Sequence, residues 1–208
     1  MSENPQDLRK FSPSTARNRG PILEVLQRIL PAQATVLEIA SGSGEHGVFF
    51  CESMTGWRWQ PTDRDQDALE SVAAWRSHAK LEDSMAPPIT LDVAEEGWPK
   101  QIPEPMDAIF AANMIHISPW ESTVGLVNGA AQLLAPGAPL VLYGPYRING
   151  AHTAPSNVTF EEWLQAQDSR WGVRDLNEVT DVALSRGFDE PQVHPMPANN
   201  LTVVFRRN

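Results

Sequence analysis

The chain reads as a doubly wound α/β domain on a mostly parallel, seven-stranded sheet that ends in an antiparallel hairpin. Three observations predict this. Short apolar runs alternate with stretches of helical periodicity from Ala34 to Gly144, and that alternation produces parallel strands covered by helices. A glycine-rich turn, Ser41-Gly-Ser-Gly44, joins the first run to a helical segment. Near the C-terminus two extended runs, Pro191–Pro197 and Leu201–Arg206, flank the turn Ala198-Asn-Asn200.

Taken in order, Met1 to Ser14 is expected to be a mobile N-terminal arm (1–14), with residues 15–208 forming a single domain. From Pro21, the residues Ile22, Leu23, Val25, Leu26, Ile29 and Leu30 recur at helical spacing, and Pro31 closes the helix. Ala34–Ala40 is a buried strand, followed by a helix carrying Val48, Phe49, Phe50 and Met54. Trp57–Pro61 is a short strand and Gln66–His78 a helix. Pro88–Val93 and Met106–Ile115 are strands, Ser122–Leu134 is a helix, and Ala138–Gly144 is the fifth strand. Pro145–Thr159, rich in Gly, Pro and Asn, is long for a connection and suggests a lid at a strand end, where such sheets bind ligands. Helices are expected over Phe160–Gln167 and Asp175–Arg186. Trp57, Trp59, Trp75 and Trp163 are expected to pack in or against the core.

Composition narrows the partners. In 208 residues the hydrophobic fraction is 41% and the net charge −10, with no Lys/Arg run. A nucleic-acid binder needs a basic surface to neutralise phosphates, so nucleic acid and anionic membranes are disfavoured; a small-molecule or protein substrate is left, and a small molecule is expected. Cys51 is the only cysteine, Met1–Lys10 has no hydrophobic signal core, and no apolar run approaches a membrane span. A cytoplasmic location is expected. The five histidines show no metal-ligand spacing, so no metal is expected; oligomeric state is not readable.

The residues that carry chemistry sit at strand ends. In Val36-Leu-Glu-Ile-Ala-Ser-Gly-Ser-Gly44 a buried strand turns into a helix through small residues, so backbone N–H groups can approach a ligand. Glu38 inside the apolar strand needs a partner, and a ligand ammonium group is one candidate. Gly42-Ser-Gly-Glu-His-Gly47 also matches G-x-G-x-x-G, which keeps a dinucleotide-binding oxidoreductase open. Asp63 follows Gly44 by 19 residues, a distance suited to a ribose diol, although an acid there could instead cap the next helix. Asp92 and Val93 could meet an adenine edge, although a strand-end Asp is often only a turn residue. Asn113, Met114 and His116 stand at the exit of the fourth strand; His116 is a candidate general base or substrate contact, although a lone histidine is more often a structural residue. Tyr146, a candidate for proton transfer, joins Arg147 and Asn149 as candidates for substrate recognition past the fifth strand.

The run 36–44 resembles the first motif of class I S-adenosylmethionine-dependent methyltransferases, which have a Rossmann-like fold. Asp63, Asp92 and the Asn113 region fall where that superfamily keeps later cofactor motifs, and the final hairpin matches its antiparallel seventh strand. More specifically, the chain is similar to an uncharacterised methyltransferase-like family, a domain of unknown function. That resemblance spans about Phe11 to Phe205 and rests on Arg-Asn-Arg-Gly-Pro-Ile-Leu (17–23), Glu-Ile-Ala-Ser-Gly-Ser-Gly-Glu-His (38–46), Gln-Pro-Thr-Asp (60–63), Asn-Met-Ile-His-Ile-Ser-Pro-Trp (113–120) and Tyr-Gly-Pro-Tyr (143–146). It implies S-adenosyl-L-methionine as cofactor. Glu38 and the backbone of Ala40, Gly42 and Gly44 would hold the methionine end, beside Asn113. Asp63 would bind ribose, Asp92 and Val93 adenine, and Asn18 would close over the site. Ala40 replaces the superfamily's usual first glycine, which is expected to be tolerated if its backbone stays strand-like. A cofactor-binding scaffold without turnover is the remaining alternative.

Overall fold

The computed structural model describes residues 7–103 and 105–208. Helix α1 (Pro13–Ile29) starts well before Pro21. Ser12 caps it by accepting from Thr15 N–H, and Pro13 occupies the first turn, where its missing N–H is not needed. The buried stripe of α1 is Thr15, Asn18, Ile22, Val25 and Leu26. Its N-terminal half is polar, so apolar periodicity reveals only the second half. Residues 1–6 of the expected arm lie outside the described residues, and the boundary at residue 14 falls inside α1. The segment before α1 is held at several points. Lys10 N–H donates to Ser71 Oγ at 2.8 Å, Trp75 Nε1 donates to the Lys10 carbonyl at 2.9 Å, and Phe11 packs edge-on against Trp75.

Strands β1 (Ala34–Ile39), β2 (Trp57–Asp63), β3 (Ile89–Thr90), β4 (Ala108–Ala112) and β5 (Pro139–Gly144) are parallel. Between β5 and the C-terminus come β6 (Arg147–Ile148), β7 (Ala151–His152), β8 (Gln192–Met196) and β9 (Asn200–Arg206). The main sheet has the order β3-β2-β1-β4-β5-β9-β8, with β9 antiparallel to both neighbours. Helices α2 (Glu45–Ser53), α3 (Gln66–His78), α4 (Trp120–Leu133), α5 (Pro155–Gln167) and α6 (Leu176–Ser185) complete the chain. This is the seven-stranded, mostly parallel, Rossmann-like architecture with a C-terminal antiparallel hairpin.

The sheet is buried on both faces, so alternate residues of one strand enter different cores. Val36, Phe110, Val141 and Val204 pack with Phe50, Trp57 and Trp59 under α1 and α2. Leu37, Ile109, Leu140 and Phe205 pack with Trp98, Leu126 and Phe188 under α4 and α6. Such strands read as continuous apolar runs, which is why β1, β4 and β5 are plain in the sequence. Trp163 departs from expectation. It is 51% exposed on α5, stacked on Phe160. Among the described residues no helix is long and apolar enough to cross a membrane.

The stretch Pro145–Thr159 is not an irregular lid. It folds as the hairpin β6–β7 followed by the first turn of α5. Asn149 and Gly150 form the two-residue connection with φ of 52° and 77°, the left-handed pair that Asn-Gly supplies in tight hairpins. The chain runs from β1 to β2 and β3 on one side, then crosses to β4 on the other. The gap at the C-terminal ends of β1 and β4 is therefore the topological switch point, where this class of sheet binds ligands.

Candidate functional site

A cavity of about 380 Å³ opens at that switch point. Its floor is the turn from β1 to α2. Ser41 N–H donates to the Thr62 carbonyl at 2.9 Å, and Gly42 N–H donates to Asp63 Oδ2 at 2.9 Å, so the turn is tied to the end of β2. Gly42 and Gly44 serve different purposes. A Cβ on Gly42, at φ 57°, would meet open space, whereas one on Gly44, at φ 88°, would come within 3.0 Å of Val72 Cα. Gly44 lets α3 approach and does not line the cavity; Gly42 does.

Ala40 corrects an expectation. Its backbone is not strand-like: φ is 58°, in the left-handed region that a Cβ disfavours. Asn113, at φ 59°, shares this conformation at the end of β4, and both residues line the cavity. Non-glycine residues held there concentrate at functional sites.

Asp63 lines the cavity and is not a helix cap. Asp65 caps α3, accepting from Ala68 N–H. Asp63 Oδ1 accepts from Asp65 N–H at 3.0 Å and Oδ2 from Gly42, leaving about two of its roughly four lone-pair positions for a ligand. Asp92 accepts from Ala94 N–H at 2.9 Å and has Arg64 Nη1 3.7 Å from its other oxygen. Leu91, Asp92 and Val93 form one wall of the cavity, with Ile39 and Ile117 adding apolar surface.

From α1, Asn18 reaches the same cavity. Its Oδ1 lies 2.8 Å from His46 Nε2. An amide oxygen only accepts, so the imidazole proton sits on Nε2. Burial, with the nearby Arg19 charge, lowers the His46 pKa to about 4 and keeps the ring neutral. Ser14, Thr15, His46 and Trp171 also line the cavity and were missed as site residues. The α1 residues carried a signal: polar positions continuing the helix's apolar stripe. Trp171 carried none.

Several expected site residues turn away. Glu38 is buried inside the sheet, where Trp59 Nε1 donates to its Oε2 at 2.8 Å. It does not line the cavity, and its partners are the Trp59 indole and the Ser41 side chain of this chain. Gly47 makes room for that indole, since a Cβ there would lie 2.6 Å from Trp59 Cδ1. Burial is the main cause that lifts the Glu38 carboxyl to about 7.

His116 is fully buried and lines no cavity described here. Its Nδ1 accepts from Arg174 N–H at 3.1 Å, and its ring meets Tyr146 edge-on at 5.0 Å. Burial, with the Arg174 charge, lowers its pKa to about 3. It is a packed neutral ring and not a general base in the cavity. Tyr146 is equally buried, its hydroxyl has no hydrogen-bond partner among the described residues, and burial pushes its pKa upward. Arg147 and Asn149 belong to the β6–β7 hairpin. Arg147 N–H donates to the Arg174 carbonyl at 2.9 Å, and Asn149 Oδ1 accepts from Asn177 Nδ2 at 3.0 Å. None of these four lines the cavity. Arg174, unremarked in the sequence, organises the region by donating to the Ile115 and Ser118 carbonyls at 2.9 and 2.6 Å.

A family described as a protein of unknown function (DUF938) matches residues 9–207. The chain belongs to that family. Solved structures share its fold with little sequence identity. An O-methyltransferase family protein from Burkholderia thailandensis superposes with a TM-score of 0.78 at 12% identity, covering 94% of this chain and 57% of that one. An O-methyltransferase family 2 protein from Planctomyces limnophilus, in complex with apigenin, gives 0.76 at 18%, covering 94% and 60%. Human N-acetylserotonin methyltransferase in complex with SAM gives 0.75 at 13%, covering 94% and 53%. The DUF938 chain thus spans little more than half the length of these proteins. Its fold is the Rossmann-like fold that these methyltransferases share.

Proposed function

We propose that this DUF938 protein is an S-adenosylmethionine-dependent methyltransferase acting on a small-molecule acceptor. One observation carries the reading: Asp63, Asp92 and the Gly42 turn, from three different strand ends, converge on a single cavity at the switch point. The residues present suit the cofactor. Asp63 has lone pairs left for a vicinal diol, Asp92 and Val93 offer an acceptor and an N–H beside apolar Leu91, and Gly42 leaves its Cβ space open for close backbone approach. The volume lies within the roughly 300–1,000 Å³ typical of small-ligand sites.

In this reading Asp63 holds the ribose, Asp92 and Val93 the base, and the Ala40–Ser43 backbone with Asn113 the methionine end. When bound, the cofactor would supply an electrophilic methyl group, which Asp63, Asp92, Val93 and Asn113 would hold in place for the acceptor. The chain's own contribution is orientation and exclusion of bulk water, the sources of catalysis that need no side-chain base. His116 and Tyr146 take no part, because neither reaches the cavity.

Parallel calorimetric titrations with S-adenosylmethionine, S-adenosylhomocysteine and NAD test the proposal, followed by transfer of labelled methyl into fractionated cell extract. Binding of both adenosyl ligands and labelling of a small molecule are expected. Binding of NAD alone would overturn the reading, and cofactor binding without any labelled product would leave a scaffold.

A further inference from the structure

A second cavity of about 460 Å³ adjoins the first and shares Ser14, Asn18 and Asn113 with it. It lies between the N-terminal half of α1, the end of β5 and the start of α5. Its wall differs in character from that of the first cavity. In a chain of net charge −10, the only formal charge among its lining residues is the Arg17 guanidinium. Arg17 makes no ion pair among the described residues. The remaining lining is neutral polar or apolar, with no carboxylate.

Three further features organise this space. Tyr143, from β5, is buried, and burial raises its pKa against the opposing influence of the Asn18 side chain and the Arg17 charge, so its hydroxyl stays neutral. Asn157 is buried with its Nδ2 donating to Thr153 Oγ1 at 3.0 Å and to the Asn199 carbonyl at 3.4 Å. No hydrogen bond among the described residues ends on its Oδ1, which leaves an acceptor at the wall. Phe160 supplies a flat apolar surface, and its ring is backed by Trp163 at an interplanar angle of 11°.

We propose that this second cavity is the methyl-acceptor subsite and that it takes a small, ring-bearing carboxylate. The proposal rests on the methyltransferase reading, which makes the first cavity the cofactor's. Arg17 reads the carboxylate, for which its planar fork is matched in shape as well as charge. Phe160 supports the ring. The acceptor's O–H, N–H or S–H faces Asn157 Oδ1 and the Asn18/Asn113 side, where the two cavities meet. A cationic acceptor is disfavoured by the same electrostatics, because nothing on the wall would neutralise it.

The test uses the full chain saturated with S-adenosylhomocysteine. Hydroxy-, amino- and mercaptobenzoates, each paired with its neutral amide, are titrated by ligand-observed NMR into the wild type, Arg17→Gln and Phe160→Ala. Arg17 is exposed, so its replacement leaves the fold intact, and unchanged S-adenosylhomocysteine affinity checks this. At least one carboxylate should bind saturably, with its amide and the Arg17→Gln variant each weaker by about tenfold, as expected for losing one charge-assisted contact. Phe160→Ala should weaken acid and amide alike. The inference fails if S-adenosylhomocysteine binds but no carboxylate does, if acids and amides bind equally, or if Arg17→Gln changes nothing. Failure of S-adenosylhomocysteine itself to bind would instead remove the methyltransferase reading, and this inference with it.

Discussion

The two halves of the sheet's C-terminal edge behave differently. Beside β1, β2 and β3, the expected residues Ala40, Gly42, Asp63, Asp92 and Val93 all border one cavity. Past β4, Asn113 borders both cavities, but His116, Tyr146, Arg147 and Asn149 border neither, and residues from α1 and α5 line the rest. After β1 and β2 the chain enters α2 and α3 within a few residues, and the Gly42–Asp63 hydrogen bond ties the two turns together, whereas Asp92 and Val93 lie in the longer connection from β3 to β4. At the end of β5 the chain instead enters a hairpin held by residues far away in sequence, with Arg147 N–H donating to the Arg174 carbonyl and Gly150 N–H to Asp175 Oδ2.

Glu38 offers the largest test of that contrast, because it sits in the well-read half yet points into the core. Its folded pKa of about 7 lies above the ordinary 4.5, so the native state retains a proton that the unfolded chain releases. Stability from this group is therefore full below about pH 4.5, falls as pH rises, and levels off above 7. The loss amounts to about 3 kcal/mol. Buried His46 and His116, with lowered pKa values, work the opposite way below pH 6.5, losing stability as pH falls. Glu38→Gln should thus be compared with the wild type by urea unfolding from pH 5 to 8. The variant is expected to gain relative stability with rising pH, while its S-adenosylhomocysteine affinity stays within about twofold, since a residue outside the cavity makes no ligand contact to lose. A large loss of affinity would return Glu38 to the ligand.

Asp63→Ala, on the neighbouring strand, is expected to weaken S-adenosylhomocysteine binding by about 1–3 kcal/mol, the usual penalty for leaving polar partners unpaired. Part of that loss would come from freeing Gly42 N–H. Unchanged calorimetric affinity would sink the ribose assignment and place the two carboxylates in the same structural class.

The smallest effect should come from Tyr146→Phe in the other half. Its hydroxyl is buried without a partner among the described residues, so removing it should change stability by no more than about 1 kcal/mol, neutral or in the stabilising direction. Methyl transfer to whichever extract component the wild type labels should persist. Loss of transfer with retained stability would mean that Tyr146 reaches the acceptor after all.

Much of the molecule was legible locally. Helix α3 falls on the expected Gln66–His78, because an acid cap and an apolar stripe both lie within it. Strand β3 is shorter than its apolar run, two residues instead of six, because only Ile89 and Thr90 pair with β2. Helix α1 is longer than its apolar stripe, because the stripe turns polar where it meets the cavities.

From the order of its residues alone, this protein determined its layered architecture, its glycine turn and the carboxylates at its strand tips. These depend on periodicity and backbone conformation, which act over a few neighbouring residues. Only the tertiary structure decided that Glu38 meets Trp59, that His116 and Tyr146 are sealed inside, and that Arg17 faces the second cavity. A side chain's direction depends on which distant surface buries it, and that surface exists only once the chain has folded.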